Sequence, residues 1–386
     1  MKVLILGGGG EMGRVAAREA AVYDFVEKVT VADVNLDAAR AVAATIGGKA
    51  TAVRCDVSDL VHMSLLLAKH DVVLNTVGPF YRFGVGILNA VIAAGKHYAD
   101  ICDDWEPTLE MLQLDSLAKA NGVVAIVGMG ASPGLTNLLG LMAGSSLDQV
   151  NELLTGWSIV DDDQSTEASS SVLRLGPSAA SVHWLRQLTG TIRQQERGEL
   201  RDVKPLQRRV IAYPGYGSLP VWTVGHPEAV TFPRTFSSLI TCANVMVGGN
   251  NDFDYLKVLV GLVNSGILSI EEAATLIDRD SSRAGNASRT SGTRPPELFA
   301  WARGSLDGKP MIASAHLAMP LPGGMGGATA TPLALTLPLF ARGFDSRCGV
   351  FTPDELLNPK TFIERLAIRY FGMTSIVTLA FQSDDS

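Results

Sequence analysis

The chain has 386 residues, of which 47% are hydrophobic and 18% are charged, and its formal net charge is −7. This length exceeds what a single hydrophobic core usually supports, so we expect two domains. The acidic balance and the scattered basic residues argue against binding to nucleic acid.

Membrane insertion and disulfide bonding are not indicated either. Residues 310–341 contain no Asp, Glu, Lys or Arg, but prolines and a glycine run at 323–327 would break a spanning helix. The four cysteines have neither the spacing of a zinc site nor that of a disulfide framework. We therefore predict a cytoplasmic protein without a membrane partner and without a metal.

The first predicted strand, residues 2–6, runs directly into a glycine-rich turn. Two registers fit this turn: one begins at Gly8 and the other at Gly7, and both continue through Gly10 and Gly13. Such glycines let the backbone approach a pyrophosphate, and the amino end of the next helix faces the phosphates. The predicted pyrophosphate-binding residues are Gly8, Gly10, Glu11, Met12 and Gly13.

From residue 1 to about 130, short apolar strands alternate with helical stretches, which is typical of a parallel sheet with helices on both faces. We predict a doubly wound Rossmann fold. Its strands are placed at 2–6, 29–33, 51–54, 72–75, 97–101 and 123–127, and its helices near 11–23, 36–46, 59–68, 84–94 and 107–121.

Polar or glycine-bearing loops follow three of these strands at the edge where open α/β sheets bind ligands. Asp33 ends the second strand and is expected to bind the adenosine ribose, which favours NAD while leaving NADP open. Asp56 and Val57 are predicted to line the adenine pocket. The loop after the fourth strand is predicted to reach the nicotinamide side through Thr76, Val77, Gly78 and Pro79.

The middle of the chain has a different pattern and predicts a second, mixed sheet with helices. Strands are expected at 150–160, 203–212, 220–224 and 310–319, and helices at 178–190, 252–266 and 269–278, the last opened by a capping box at Ser269 and Glu272. Residues 161–166 and 280–292 are polar and are expected to form loops.

Hydride transfer to a nicotinamide is accompanied by loss of a proton from the substrate, and several side chains are candidates for the group that accepts it. Asp100, Asp103 and Asp104 follow the fifth strand at its carboxyl end, whereas His97 lies at its amino end, away from the cofactor. Residues 222–234 are interpreted as a shaped loop in which His226 accepts a proton and Arg234 pairs with a substrate carboxylate. Tyr81 and Arg82, beside the nicotinamide loop, are further candidates for substrate binding.

Five motifs, taken in this order, resemble the saccharopine dehydrogenase family, whose members include saccharopine reductase, lysine 6-dehydrogenase and carboxynorspermidine dehydrogenase. They are the glycine turn at 7–13, Asn75–Pro79, His97–Asp100, the turn at Pro133–Gly134, and the tail 325–332 followed by 349–355. The resemblance implies an oxidoreductase that transfers a hydride at a C–N bond of an amino acid or an opine-like adduct, with NAD or NADP as cofactor.

The resemblance also implies three segments: a Rossmann domain at 1–130, an inserted α/β substrate and dimerisation domain at 131–320, and a segment at 321–386 that returns to the first domain. A homodimer is expected. Ser132 replaces the acidic residue of saccharopine reductases, and Asp33 replaces their Ser-Arg type sequence. The alternatives are a lysine 6-dehydrogenase, a carboxynorspermidine-type reductase, or a sensor that binds NAD(P) without turnover.

Overall fold

The structure is a computed structural model that describes residues 1–159, 179–281, 296–344 and 347–384. Within these ranges, the strands in chain order are β1 (Lys2–Leu6), β2 (Lys28–Asp33), β3 (Ala50–Arg54), β4 (Val72–Asn75), β5 (His97–Asp100), β6 (Val124–Ile126), β7 (Gln149–Ser158), β8 (Ile192–Glu196), β9 (Glu199–Val203), β10 (Arg208–Tyr213), β11 (Gly217–Val224), β12 (Thr241–Val247), β13 (Leu298–Leu306), β14 (Lys309–Leu317), β15 (Gly349–Phe351) and β16 (Val377–Ser383).

The helices in the same ranges are α1 (Glu11–Ala21), α2 (Leu36–Ile46), α3 (Leu60–Leu67), α4 (Phe80–Ala93), α5 (Trp105–Leu112), α6 (Asp115–Ala120), α7 (Leu135–Gly144), α8 (Ala179–Gln187), α9 (Glu228–Thr235), α10 (Asn250–Asn264), α11 (Ile270–Ser281), α12 (Gly324–Ala334), α13 (Leu337–Arg342), α14 (Pro353–Leu356) and α15 (Pro359–Phe371). No helix in this described part of the chain combines the length and the apolar character that crossing a membrane requires.

The first sheet has seven strands in the order β15-β6-β5-β4-β1-β2-β3, and its pairs are parallel. The strand order reverses between β1 and β4, which is the point where doubly wound sheets bind nucleotides. β1 and β4 are almost continuously buried, as expected when helices cover both faces of a parallel sheet. On one face, Leu4 and Leu6 share a buried cluster with Ile87 and Met111 of the helices. The predicted Rossmann fold is confirmed.

Among the described residues, the second sheet has nine strands, seven of them in the order β10-β11-β12-β7-β13-β14-β16, with β8 and β9 attached through β12. β7 and β12 run parallel, whereas β11 is antiparallel to β12 and β13 is antiparallel to β7. The sheet is therefore mixed, as predicted. A buried cluster joins Trp222 and Met246 to helix residues such as Phe253, whose ring stacks on Trp222 with a centroid separation of 3.8 Å.

The described chain forms two compact units. The first comprises residues 1–141 and 319–377, and the second comprises 142–318 and 378–386. The returning segment adds β15 to the first sheet beside β6, but β16 joins the second sheet beside β14. The tail beyond 321 is thus shared between the units rather than belonging wholly to the first.

Several predicted elements differ from the structure. The helix predicted at 107–121 is two helices, because i→i−3 hydrogen bonds from the N–H groups of Gln113 and Leu114 tighten the chain between them. The fourth helix begins at Phe80, directly after Pro79, rather than near residue 84. The capping box at Ser269 and Glu272 is present as predicted, with both reciprocal hydrogen bonds.

In the second unit, the single strand predicted at 203–212 is divided between β9 and β10. Leu206, between them, has a φ of +58°, a conformation incompatible with a continuous strand. Residues 222–234 are not a loop throughout, because β11 extends to Val224 and α9 begins at Glu228. The predicted polar loops at 161–166 and 282–292 lie outside the described residues, while residues 280 and 281 end helix α11.

Candidate functional site

The glycine turn between β1 and α1 is built so that no side chain obstructs it. Gly7 has a φ of +73°, and its carbonyl oxygen accepts a hydrogen bond from the N–H of Gly10 at 3.0 Å. A Cβ on Gly13 would lie 2.1 Å from that same oxygen. The backbone of α1 can therefore pack directly on the turn, and its first N–H groups face the carboxyl edge of the sheet.

The geometry of the turn shows why glycine is required at particular positions. The left-handed conformation falls on Gly7 and the closest packing on Gly13, whereas Gly10 has an ordinary φ of −75°. Gly8 is needed for another reason, because a Cβ there would lie 2.6 Å from Cγ1 of Val31. Gly10 is the N-cap residue of α1 and cannot cap the helix with a side chain; Glu11 and Met12 follow in the first turn. These features match a site where an external anion meets the helix N-terminus.

Asp33 ends β2 beside the glycine turn and is bound to it. One carboxylate oxygen accepts the N–H of Gly9 at 2.9 Å, and the other accepts the N–H of Asn35 at 2.9 Å. The predicted ribose-binding carboxylate is thus held in place by two backbone groups. Its neighbour Val34 is 61% exposed, so the position beside the carboxylate is open to solvent.

Asp56 and Val57 lie in the loop after β3. Asp56 Oδ1 accepts hydrogen bonds from the N–H and the hydroxyl of Ser58 at 2.9 and 2.6 Å, and these bonds hold the pKa of the Asp56 carboxyl below its usual value. These hydrogen bonds within the loop fix its conformation. Asp59 then caps α3 by accepting the N–H of His62.

The loop after β4 is tied to the glycine turn. The Thr76 hydroxyl donates to the carbonyl oxygen of Leu6 at 2.8 Å, and the Thr76 N–H donates to the same oxygen at 2.9 Å. The Val77 N–H donates to Oδ1 of Asn75. Gly78 and Pro79 complete the loop and lead into α4, whose first turn carries Tyr81 and Arg82 on its exposed side. The Arg82 guanidinium lies 4.8 Å from the centre of the Phe83 ring.

Asp100 is completely buried at the carboxyl end of β5. It accepts hydrogen bonds from the hydroxyl of Tyr98 and from the backbone N–H groups of Cys102 and Gly128. Burial raises the pKa of the Asp100 carboxyl to about 6, although the three hydrogen bonds act in the opposite direction. A carboxylate engaged in this way is suited to holding the loops around it.

Asp103 and Asp104 stand between β5 and α5. Asp104 is buried and occupies the N-cap position of α5, but its side chain makes no capping hydrogen bond; its carbonyl oxygen accepts the hydroxyl of Thr108 at 2.7 Å. His97, at the opposite end of β5, accepts the N–H of Val124 on Nδ1. Burial lowers the pKa of His97, so this imidazole is neutral and engaged in the sheet.

The turn after β6 is a second glycine-dependent structure at the same edge. Gly134 has a φ of +122°, and a Cβ there would lie 2.1 Å from the carbonyl oxygen of Gly130. The Gly134 N–H donates to Oδ1 of Asn137, whose amide donates in turn to Asp354 at 2.7 Å. The returning segment thus fixes the conformation of this turn. A Cβ on Gly130 would also approach Thr329 of α12 within 3.1 Å.

Within the second unit, His226 and Glu228 form a buried pair at the start of α9. Nδ1 of His226 lies 3.2 Å from Oε2 of Glu228, and the exposed fractions of the two side chains are 4% and 0%. The imidazole also packs on the Trp157 ring at 4.7 Å. Since a carboxylate only accepts, the Glu228 carboxylate selects the tautomer with its proton on Nδ1 and makes Nε2 the basic nitrogen. Arg234 lies in the last turn of α9.

Sequence reasoning assigned no individual role to three residues of these networks: Asn75, Tyr98 and Glu228. Two signals pointed to the first pair. Tyr98 and Asp100 are two residues apart in a strand and therefore share a face, and Asn75 and Asp100 both end parallel strands at the same edge. Glu228 lies two residues after His226. The segment was predicted to be a loop, so the start of the helix that brings the two side chains together was not foreseen.

Comparison with known proteins identifies relatives of this sequence and of this fold. Residues 3–126 match a family model described as the saccharopine dehydrogenase NADP binding domain. The chain is 25% identical over 283 residues to carboxyaminopropylagmatine dehydrogenase of Synechocystis sp., which covers 70% of this chain and 67% of that protein. Apo saccharopine dehydrogenase (L-Glu forming) from Saccharomyces cerevisiae has the same fold, with a TM-score of 0.69, 16% identity, and coverage of 99% of this chain and 100% of that one. Residues 3–126 thus match the NADP-binding domain of saccharopine dehydrogenases, and the chain as a whole has the saccharopine dehydrogenase fold.

Proposed function

We propose that the protein oxidises or forms a C–N bond in a small amino-acid-like substrate, with NAD as its preferred cofactor. The observation that carries the proposal is the glycine turn, in which a Cβ on Gly13 would collide with the carbonyl oxygen of Gly7. Because the glycines of this turn carry no Cβ atoms, a pyrophosphate can approach the N-terminus of α1 closely. When bound, the nicotinamide would supply the hydride chemistry.

In the first unit, three loops would each bind a different part of the cofactor. Gly8, Gly10, Glu11, Met12 and Gly13 would hold the pyrophosphate, and Asp56 and Val57 would line the adenine pocket. Thr76, Val77, Gly78 and Pro79 would line the nicotinamide side, since the strands beyond the reversal of strand order bind the second mononucleotide. The bonds from Thr76 to Leu6 support this assignment, because they join the loop to the end of β1.

The preference for NAD over NADP is attributed to Asp33. Its carboxylate is held by Gly9 and Asn35 at the end of β2, where a ribose hydroxyl would donate a hydrogen bond to it. A 2′-phosphate at that position would bring two negative groups together and would be repelled. The matched family model is named for NADP, so direct comparison of the two cofactors is the first experiment.

For the proton, we assign His226 as the acceptor and Glu228 as the residue that orients it. Removal of a hydride from the carbon of a C–N bond requires a neutral amine, so the site needs a group that accepts the ammonium proton. The pairing of Nδ1 with Glu228 leaves Nε2 as the basic nitrogen. Asp103 and Asp104 remain candidates for binding a substrate ammonium, and Arg234, Tyr81 and Arg82 for binding its carboxylate or body.

A second candidate function is reduction of a carboxyaminopropyl adduct of an amine. It is favoured by the relative from Synechocystis sp., whose name assigns it carboxyaminopropylagmatine. Ser132 also separates this chain from saccharopine reductases, which carry an acidic residue at that position. The proposal includes a homodimer in the cytoplasm, as the family resemblance implies; sedimentation of the purified protein would test the dimer.

The test is a substrate panel followed by nicotinamide absorbance. Purified protein is incubated with NAD or NADP and amino acids, polyamines and carboxyaminopropyl amines, and in the reverse direction with reduced cofactor, an oxo acid or aldehyde, and amines. Turnover with an amino-acid-like or polyamine-like member supports the proposal. Tight cofactor binding with no absorbance change for any member contradicts it and favours a sensor.

A further inference from the structure

Three buried polar side chains form one connected chain under the carboxyl edge of the first sheet. Asn75 ends β4, Asp100 ends β5, and the two residues are direct partners in the parallel register. The Asn75 amide donates to the Tyr98 hydroxyl at 2.9 Å, and that hydroxyl donates to Oδ2 of Asp100 at 2.9 Å. All three side chains are completely buried. We call these three residues the edge relay.

Each end of the edge relay holds a different loop. At one end, Oδ1 of Asn75 accepts the N–H of Val77 at 3.0 Å. At the other, Oδ1 of Asp100 accepts the N–H of Gly128 at 2.7 Å, and the carbonyl oxygen of Asp100 accepts the N–H of Met129 at 2.7 Å. The loops that follow β4 and β6 are therefore joined through side chains that neither loop contains.

The donor and the acceptor of each hydrogen bond in the edge relay follow from the chemistry of its members. The ionised carboxylate of Asp100 only accepts, so the Tyr98 hydroxyl must donate to it and must accept from the Asn75 amide nitrogen. This orientation turns the Asn75 amide oxygen toward Val77. Loss of any member would leave a buried polar group unpaired or free to rotate, so the relay has one arrangement in which every member is satisfied.

The edge relay lies in an apolar part of the sheet. Tyr98 shares a buried cluster with its strand partners Val73 and Ala125. Replacing buried paired polar groups with apolar side chains of similar shape is often neutral for stability. What apolar side chains could not supply is an acceptor for the N–H groups of Val77 and Gly128.

We propose that Asn75, Tyr98 and Asp100 are positioning residues that set the nicotinamide side of the cofactor site. The inference rests on the proposed cofactor function and deepens it. In this view Asp100 touches neither cofactor nor substrate, and acts through the backbone of residues 76–79 and 128–130. Loss of the relay weakens contacts to the nicotinamide half of the cofactor and leaves the adenosine half, held by the glycine turn and Asp33, unaffected.

The decisive variant is Tyr98→Phe, which keeps the buried ring and removes the central hydroxyl. We expect its Kd for NADH to rise about fivefold, as for loss of one hydrogen bond, with the Kd for ADP-ribose unchanged. ADP-ribose lacks the nicotinamide ring but keeps both ribose groups and the pyrophosphate, so a change confined to NADH reports contacts to that ring. The matched control is Tyr370→Phe, which loses a hydroxyl bonded to Thr331 in the same unit and should not distinguish the two ligands.

A second readout needs no cofactor. Amide hydrogen exchange, followed by NMR, should show faster exchange at Val77 in Tyr98→Phe, with Gly128 unchanged because Asp100 still accepts its N–H. In Asp100→Asn, exchange at Gly128 should accelerate as well. Thermal unfolding of each variant establishes that it is folded at the temperature of measurement.

The outcomes separate the inference from the proposed function. If the wild-type protein binds neither NADH, NADPH nor ADP-ribose, the cofactor proposal fails and the exchange measurement still decides whether the relay holds the loops. A second case is that the wild type binds both NADH and ADP-ribose. The positioning role is then wrong if Tyr98→Phe weakens the binding of both ligands equally, or if it weakens the binding of neither ligand. Unchanged exchange at Val77 in Tyr98→Phe would also overturn it.

Discussion

The carboxylate of Asp33 accepts a hydrogen bond from the backbone N–H of Gly9 at 2.9 Å, so the side chain assigned to the ribose also braces the glycine turn. For this reason, we expect Asp33→Ala combined with Val34→Arg to change cofactor binding in two ways. The affinity ratio should move toward NADP by about tenfold, because a repulsion is replaced by an attraction. Affinity for both cofactors should also fall, since the turn loses its brace.

Fluorescence titration of the reduced cofactors would measure both effects. Asp37→Ala is a suitable control, because Asp37 is an exposed carboxylate in α2 that pairs with Arg40. An unchanged ratio of NADP to NAD affinity in the double variant would show that the ribose contact is assigned to the wrong residue.

Gly13→Ala should damage the turn severely. The added Cβ would lie 2.1 Å from the carbonyl oxygen of Gly7, a backbone atom that cannot rotate away. We expect a loss of about 3 kcal/mol in the free energy of unfolding, together with loss of cofactor binding. The comparison variant is Gly86→Ala, a helical position in α4 where a Cβ meets nothing within 4 Å and where alanine should stabilise by up to about 1 kcal/mol. Urea unfolding of both variants checks the difference, and equal stabilities would refute the packing argument.

Glu228→Gln should lower kcat by about 10² to 10⁴, because a glutamine amide can donate to Nδ1 of His226 and reverse the tautomer. The substrate would be the panel member that the wild type turns over. His226→Asn should lower kcat at least as much, because it removes the proton acceptor itself. Glu199→Gln is the control, since Glu199 forms an exposed pair with Arg201 in the same unit. Normal kcat in Glu228→Gln would eliminate this pair from the reaction.

Stability should fall at mildly acidic pH because of His70. Its Nδ1 donates to the carbonyl oxygen of Leu66 at 2.8 Å, and its Nε2 accepts the hydroxyl of Thr30 at 2.7 Å. Burial holds the pKa of His70 below its usual value, so the folded state disfavours the proton that the unfolded chain accepts near pH 6.5. The contribution of this histidine is therefore present above about pH 6.5 and is lost as the pH falls.

Urea unfolding of the wild type and His70→Gln between pH 5 and pH 8 would test this, with exposed His62→Gln as control. The raised pKa of Asp100 acts with the opposite sign, because stability from its protonated form is lost as the pH rises from about 4 to about 6. The difference between variant and wild type isolates the histidine. A difference that does not change with pH would contradict the assignment.

Local patterns predicted much of the first unit and part of the second. The glycine turn, the six strands β1 to β6 and the capping box at Ser269 depend on neighbouring residues and on periodicity, which a sequence displays directly. The strand predicted at 203–212 was wrong because Leu206 adopts a φ of +58°, and nothing about a leucine signals that conformation.

The contacts that define the candidate site were harder to predict. Tyr98 and Asp100 share a face by simple alternation, but their link to Asn75 depends on the register between β4 and β5, which is set by packing across the sheet. Asp100 was assigned to catalysis from its position at the strand end. Its three hydrogen bonds and complete burial, which favour a positioning role instead, exist only once β6 has been placed beside β5.

The return of β15 to the first sheet has a consequence for how the protein is made. Val350 pairs with Ala125, more than two hundred residues earlier in the chain. A ribosome adding roughly 5 to 20 residues per second therefore leaves the edge of β6 without its partner for about 11 to 45 seconds. An open, apolar strand edge is a template for pairing with other chains. The nucleotide-binding half is translated early and completed late, so nascent chains would depend on chaperone protection during that interval.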